Sequence, residues 1–95
     1  MKKFEDSLST AVFTTKFVVK ENKEITYVSH DEDDGSWQFH SNDKWEDYSK
    51  VAMVLSLDEI IEIDPTVLEI ADLPYDYIAT RRSKQDKWVI QKKPD

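Results

Sequence analysis

Gly35 is the only glycine among 95 residues, and that one fact removes whole classes of function before any fold is considered. A chain with one glycine cannot build the glycine-rich turns that cradle phosphates in P-loop proteins or pyrophosphate in dinucleotide-binding folds, and no serine sits in a G-x-S-x-G elbow. The glycine lies in Tyr27-Val28-Ser29-His30-Asp31-Glu32-Asp33-Asp34-Gly35-Ser36-Trp37-Gln38-Phe39-His40, between two runs rich in aromatic and β-branched residues. This is the pattern of a hairpin whose turn needs one left-handed residue. A two-residue Asp34-Gly35 turn would put Trp37 and Phe39 on the face of His30 and Val28. An odd loop, three residues (Asp33-Asp34-Gly35) or five, puts them with Ile25 and Tyr27 instead, which uses the apolar residues better. The odd loop is therefore expected, with His30, Gln38 and His40 together on the wetter face.

Around this hairpin, Ala11–Val19 alternates as a half-buried strand and Glu24–Ser29 as a second, so these two are expected to pair antiparallel. The run Val51–Leu55 has the continuous apolar character of a central strand covered on both faces. Ser56 and Glu59 form a capping box ahead of Leu57, Ile60 and Ile61, marking a helix start, and Asp64-Pro65 opens a second short helix that Leu73-Pro74 stops. Trp45 and Tyr48, three apart in a polar segment, are expected to lid the core. Two strands close the chain, at Tyr75–Arg82 and Lys87–Lys92. The expected fold is α+β: one domain over residues 1–95, a mainly antiparallel sheet of five to six strands, and one or two short helices over about 57–72 on one face. Residues 1–9 read as a loose lead-in and 93–95 as a loose C-terminus.

Hydrophobic residues make up 39% and aromatic residues 12%, enough to form a core despite 35% charged residues. The absence of cysteine removes disulfides, thiolate catalysis and cysteine zinc sites, and fits a cytoplasmic location. The longest apolar runs are about five residues, too short to span a membrane, and the Met-Lys-Lys start lacks the apolar segment of a signal peptide. Residues 1–80 carry 7 basic and 18 acidic groups, a balance of −11, whereas 81–95 carry 6 basic and 2 acidic, a balance of +4. The acidic body repels phosphate backbones and anionic lipid and steers toward basic partners, so neither nucleic acid nor membrane is expected.

Asp31, Glu32, Asp33 and Asp34 do not have calcium-loop spacing: counted from Asp31, glycine is fifth and the twelfth residue is Asn42. Consecutive acids splay rather than converge, so no metal and no cofactor is expected. His30 and His40, projecting from neighbouring strands, raise the alternative of a small metal-assisted hydrolase, but two histidines fall short of the three protein ligands a catalytic zinc needs. Arg81 and Arg82, next to Lys84, could grip an acidic partner or a phosphate, or stand as solvated charges at a strand end.

The segments Phe13–Val18, Tyr27–Phe39, Asp64-Pro65 and the late aromatic–arginine strand together resemble a family of small bacterial proteins, the domain of unknown function 2185, grouped with immunity-protein-33-like members of polymorphic toxin systems. The family's acidic-Gly-Trp-x-Phe segment is matched by Asp34-Gly35, Trp37 and Phe39, with Ser36 inserted before the tryptophan. The resemblance implies an α+β fold, no enzymatic activity and, for some members, neutralisation of a toxin. The expected function is thus a non-enzymatic, cytoplasmic protein-binding domain whose acidic surface meets a basic toxin. Asp31, Glu32, Asp33, Asp34, Trp37, His30 and His40 are the candidate contacts and Gly35 the structural turn. A housekeeping protein with no toxin partner is the alternative.

Overall fold

A computed structural model describes residues 2–94. Its centre is a six-stranded mixed sheet made of β1 (Ala11–Thr15), β2 (Tyr27–His30), β3 (Trp37–His40), β4 (Ala52–Ser56), β5 (Tyr77–Thr80) and β6 (Val89–Lys92), in the order β4-β1-β3-β2-β5-β6. Every neighbouring pair is antiparallel except β1 with β3. Helices α1 (Lys16–Lys20) and α2 (Leu57–Ile63), with 3-10 helices at Tyr48–Lys50 and Pro65–Ile70, complete the α+β domain expected from the sequence.

The sequence signals for α2 are realised atom for atom. The Ser56 hydroxyl accepts from the Glu59 amide at 3.2 Å, and the Glu59 carboxylate accepts from the Ser56 amide at 2.9 Å. The Ser56 amide, and the Ser56 hydroxyl donating at 3.1 Å, hold the Glu59 carboxyl below its usual range. Asp64 caps the 3-10 helix through the Thr66 amide and pairs at 2.8 Å with the buried Arg81, whose Nε–H also reaches the Ile25 carbonyl and whose guanidinium lies 3.9 Å from the Trp88 ring. Arg81 is therefore a fully bonded structural clamp and not a free partner-gripping charge.

Leu57, Ile60, Val67 and Ile70 pack with Val12, Val28 and Phe39 on one face of the sheet. Phe4 joins them, meeting Trp37 edge-on with ring centroids 4.9 Å apart, while Lys2 pairs with Asp72 at 3.1 Å. The N-terminal segment expected to be loose has no helix or strand over 2–10 but docks on the core through the Phe4 ring, while the Leu8 and Thr10 carbonyls accept from the Asp58 and Leu57 amides at 3.0 and 2.9 Å. Met1 and Asp95 lie outside the described residues. Lys93, expected to be loose, donates its amide to the Asp76 carbonyl at 2.8 Å.

Three expectations are corrected. The alternation of Ala11–Val19 stops at Thr15, where the chain turns into α1 and buries Val18; the Lys16 amide is taken by the Val51 carbonyl at 2.8 Å, a tertiary bond that overrides the β-propensity of Phe17-Val18-Val19. β1 and β2 do not form a hairpin, because β3 lies between them. The apolar run around Val54 is an edge strand, with Val54 itself 58% exposed, since only β1 flanks β4.

The fourth correction reorganises the site. The β2–β3 register pairs Val28 with Phe39 and His30 with Trp37, leaving a six-residue loop, Asp31–Ser36. This even loop is held by the Asp31 amide on the Ser36 carbonyl and the Gly35 amide on the Asp31 carbonyl, with Gly35 at φ +72°. Compared with the odd loop expected, the pairing slips by one residue, and a one-residue slip moves every partner to the other face. His30 consequently shares the core face with Trp37 and Phe39, and His40 lies on the opposite face with Tyr27, Ser29 and Gln38.

Candidate functional site

The loop between β2 and β3 leaves the sheet as an acidic cup. Glu32, Asp33 and Asp34 are exposed, and with Asp31, Asp76 and the Lys93 side chain they surround a shallow hollow of about 240 Å³. Asp76 supports this shape with a left-handed backbone, φ +68°, and an amide N–H that donates to the His30 carbonyl at 2.8 Å. Asp34 turns one carboxylate oxygen back to the Ser36 amide at 3.0 Å, and the hydrogen bonds from Ser36 hold its pKa below the usual carboxylate value. Asp34 is therefore held ionised, and it stands with Glu32 and Asp33 on the exposed edge of the cup.

Asp31 differs from the other three acids. Its Oδ2 accepts from the Gln38 amide nitrogen at 2.8 Å and from the Ser36 hydroxyl at 3.3 Å, and its Oδ1 faces the Lys93 ammonium at 3.4 Å. Because the Gln38 amide nitrogen is committed to a carboxylate, its Oε1 must be the acceptor in the 3.0 Å contact with His40 Nε2. That assigns the proton of a neutral His40 to Nε2 and leaves Nδ1 as a lone-pair acceptor; Nδ1 is buried without a protein partner. Burial pushes the His40 pKa down, with the Asp31 charge opposing in part, so the ring is held neutral. An Asp31–Gln38–His40 chain thus links the cup to the outer sheet face.

On that face His40 is surrounded by aromatic rings, with Tyr27 at 5.9 Å, Trp45 at 5.3 Å and Tyr48 at 5.6 Å between centroids. Trp45 and Tyr48 cover this face of the sheet, opposite the main core. A groove of about 470 Å³ opens beside them, lined chiefly by apolar surface from Tyr27, Trp45 and their neighbours.

The remaining sequence candidates are placed elsewhere. Trp37 is 1% exposed, stacked on His30 at 3.8 Å and donating its indole N–H to Asp6, and it offers a partner no surface. His30 donates Nδ1–H to the Leu73 carbonyl at 2.7 Å and is likewise buried. His30 and His40 project from opposite faces of the sheet and cannot share a metal or a proton, which removes the geometry behind the hydrolase alternative. Among the described residues no three His, Asp or Glu side chains gather as a metal cage, and no helix is long and apolar enough to cross a membrane. Reasoning from sequence missed Asp76, which its register with the loop brings into the cup, and the role of Gln38 as a link; neither carries a local signal.

A family model described as the immunity protein Imm33 domain matches residues 12–92. The chain belongs to that family. The match agrees with the resemblance drawn from Phe13–Val18 and Tyr27–Phe39 and is compatible with the domain-2185 grouping. No curated protein and no solved structure matches the chain. In this Imm33 domain the matched segment begins at Val12 in β1 and ends at Lys92 in β6, so it takes in the sheet except Ala11, the outer-face groove, and the cup except Lys93.

Proposed function

We propose that this Imm33 domain neutralises a toxin by binding it, without catalysis, through the acidic cup, and that the toxin surface it covers is basic. The observation that carries the reading is the cup itself: three exposed acids, Glu32, Asp33 and Asp34, held beside Asp31 and Asp76 at one end of the sheet of a chain with a −11 balance over residues 1–80. Family membership supports a toxin as the protein partner. A net negative charge concentrated at an exposed rim raises association rates with an oppositely charged partner and disfavours like-charged ones. The absence of a transmembrane helix among the described residues and of cysteine is compatible with action in the cytoplasm, where a toxin-producing cell would need protection.

Co-expression tests this reading. A toxin domain encoded beside this gene, expressed alone, is expected to halt growth, and expression of this chain is expected to restore it. The Glu32→Lys/Asp33→Lys/Asp34→Lys variant, folded but unable to present the cup, is expected to fail to rescue. Full rescue by that variant would show that recognition lies elsewhere.

A further inference from the structure

The outer-face groove beside His40 is distinct from the cup and is built for a different contact. Its lining, which includes Tyr27, Gln38, His40, Asp43 and Trp45, contains no lysine or arginine. It offers aromatic faces, one carboxylate oxygen of Asp43 left over after the other accepts from the Ser41 hydroxyl at 2.7 Å, and the histidine whose Nδ1 has no protein partner although the residue is only 5% exposed. The Tyr48 hydroxyl, on a ring packed against both His40 and Trp45, is also buried and unpartnered. Flat π faces, a free carboxylate oxygen and a neutral acceptor together match a planar cation with several N–H donors. A lysine ammonium would satisfy the charge, but it lacks the flat fork that stacks and donates at once.

We infer that this groove takes an arginine side chain of the protein partner, stacked on Trp45 and Tyr27 with its guanidinium donating to Asp43. Nδ1 of His40 is covered, so the guanidinium meets the rings and Asp43 and does not need Nδ1; Trp45, 39% exposed, offers it an accessible face. The inference rests on the proposal that the partner is a basic protein and adds one anchoring residue to it. The Asp31–Gln38–His40 chain runs between groove and cup, so a single basic surface can engage both.

The groove is tested with small probes on the full chain. N-acetyl-arginine amide, its neutral isostere N-acetyl-citrulline amide, N-acetyl-lysine amide and N-acetyl-norleucine amide are titrated in turn, and amide and indole N–H resonances are followed by NMR. The arginine compound is expected to shift the Trp45 indole and the backbone of Tyr27, Ser41 and Thr80 in a saturable way. The citrulline compound is expected to bind about tenfold more weakly, and the lysine compound between the two. Trp45→Ala and Asp43→Asn, at partly exposed positions that need not disturb folding, should each abolish saturation. Equal binding of citrulline, or tighter binding of norleucine, would overturn the arginine assignment, and so would the absence of any saturable shift. Arginine-induced shifts confined to residues 31–34 would also overturn it while leaving the basic-partner reading intact. Conversely, saturation at Trp45 alongside a cup-reversed variant that still neutralises its toxin would leave the groove standing and sink the cup.

Discussion

His30 and His40 lie on the two central, hydrogen-bonded strands of one sheet and live in opposite chemical worlds. His30 faces the core: its ring stacks on Trp37, its Nδ1–H is taken by the Leu73 carbonyl, and it ties the 3-10 region to the sheet. His40 faces outward, stays neutral through burial, spends Nε2 on Gln38 and leaves Nδ1 unpaired. A satisfied buried polar group is a structural device, whereas an unsatisfied one costs stability until a water or another partner reaches it. The contrast separates the face that holds the fold from the face that is free to recognise.

The sharpest way to break this contrast is to truncate one tryptophan on each face. Trp37→Ala is expected to cost about 3–5 kcal/mol in denaturant unfolding, because it empties a site walled by Phe4, Phe39 and His30. Trp45→Ala is expected to cost roughly 1 kcal/mol or less, since its ring is partly in solvent. Comparable losses would mean that the outer face is core after all.

Gly35 tests the loop that sets the register. At φ +72° an added Cβ would meet only the Tyr75 ring at 3.5 Å, so Gly35→Ala has room but pays backbone strain, an expected loss of about 1–2 kcal/mol. A neutral result would show that the six-residue loop does not need its left-handed residue.

His40 supplies a pH signature. Its folded pKa is lowered, so as pH falls below about 6.5 the unfolded chain takes up a proton that the folded chain refuses, and stability declines. The slope from this one group approaches at most about 1.4 kcal/mol per pH unit, and it should vanish in His40→Phe between pH 7 and 5.5. An unchanged slope in that variant would contradict the buried, neutral assignment.

The smallest effect belongs to the cup. Glu32→Gln/Asp33→Asn/Asp34→Asn is expected to change stability by no more than about 0.5 kcal/mol, because these side chains are exposed and not packed. A large loss would make the cup a folding element.

The same contrast explains what could be read from the amino-acid order. Local rules carried the capping box of Ser56 and Glu59, the Asp64-Pro65 start, the turn role of Gly35 and the burial of Trp37 and Phe39, since each depends on residues within a few positions. Strand order did not emerge, because placing β3 between β1 and β2 depends on packing far along the chain. The register missed by a single residue for a similar reason: the loop is closed by backbone bonds between Asp31 and Ser36 that a short-turn rule does not foresee. That slip put both histidines on one face in expectation and on two in the structure. Asp76 and Gln38 reach the site only through tertiary pairing.

The most direct measurement is the affinity of this chain for the toxin domain it protects against, read at low and at high salt for the wild type and for Glu32→Lys/Asp33→Lys/Asp34→Lys. The expected result is a loss of about a hundredfold or more at low salt that narrows as salt is raised, with the variant's unfolding curve unchanged. Equal affinity for both proteins at every salt concentration would contradict recognition through the acidic cup.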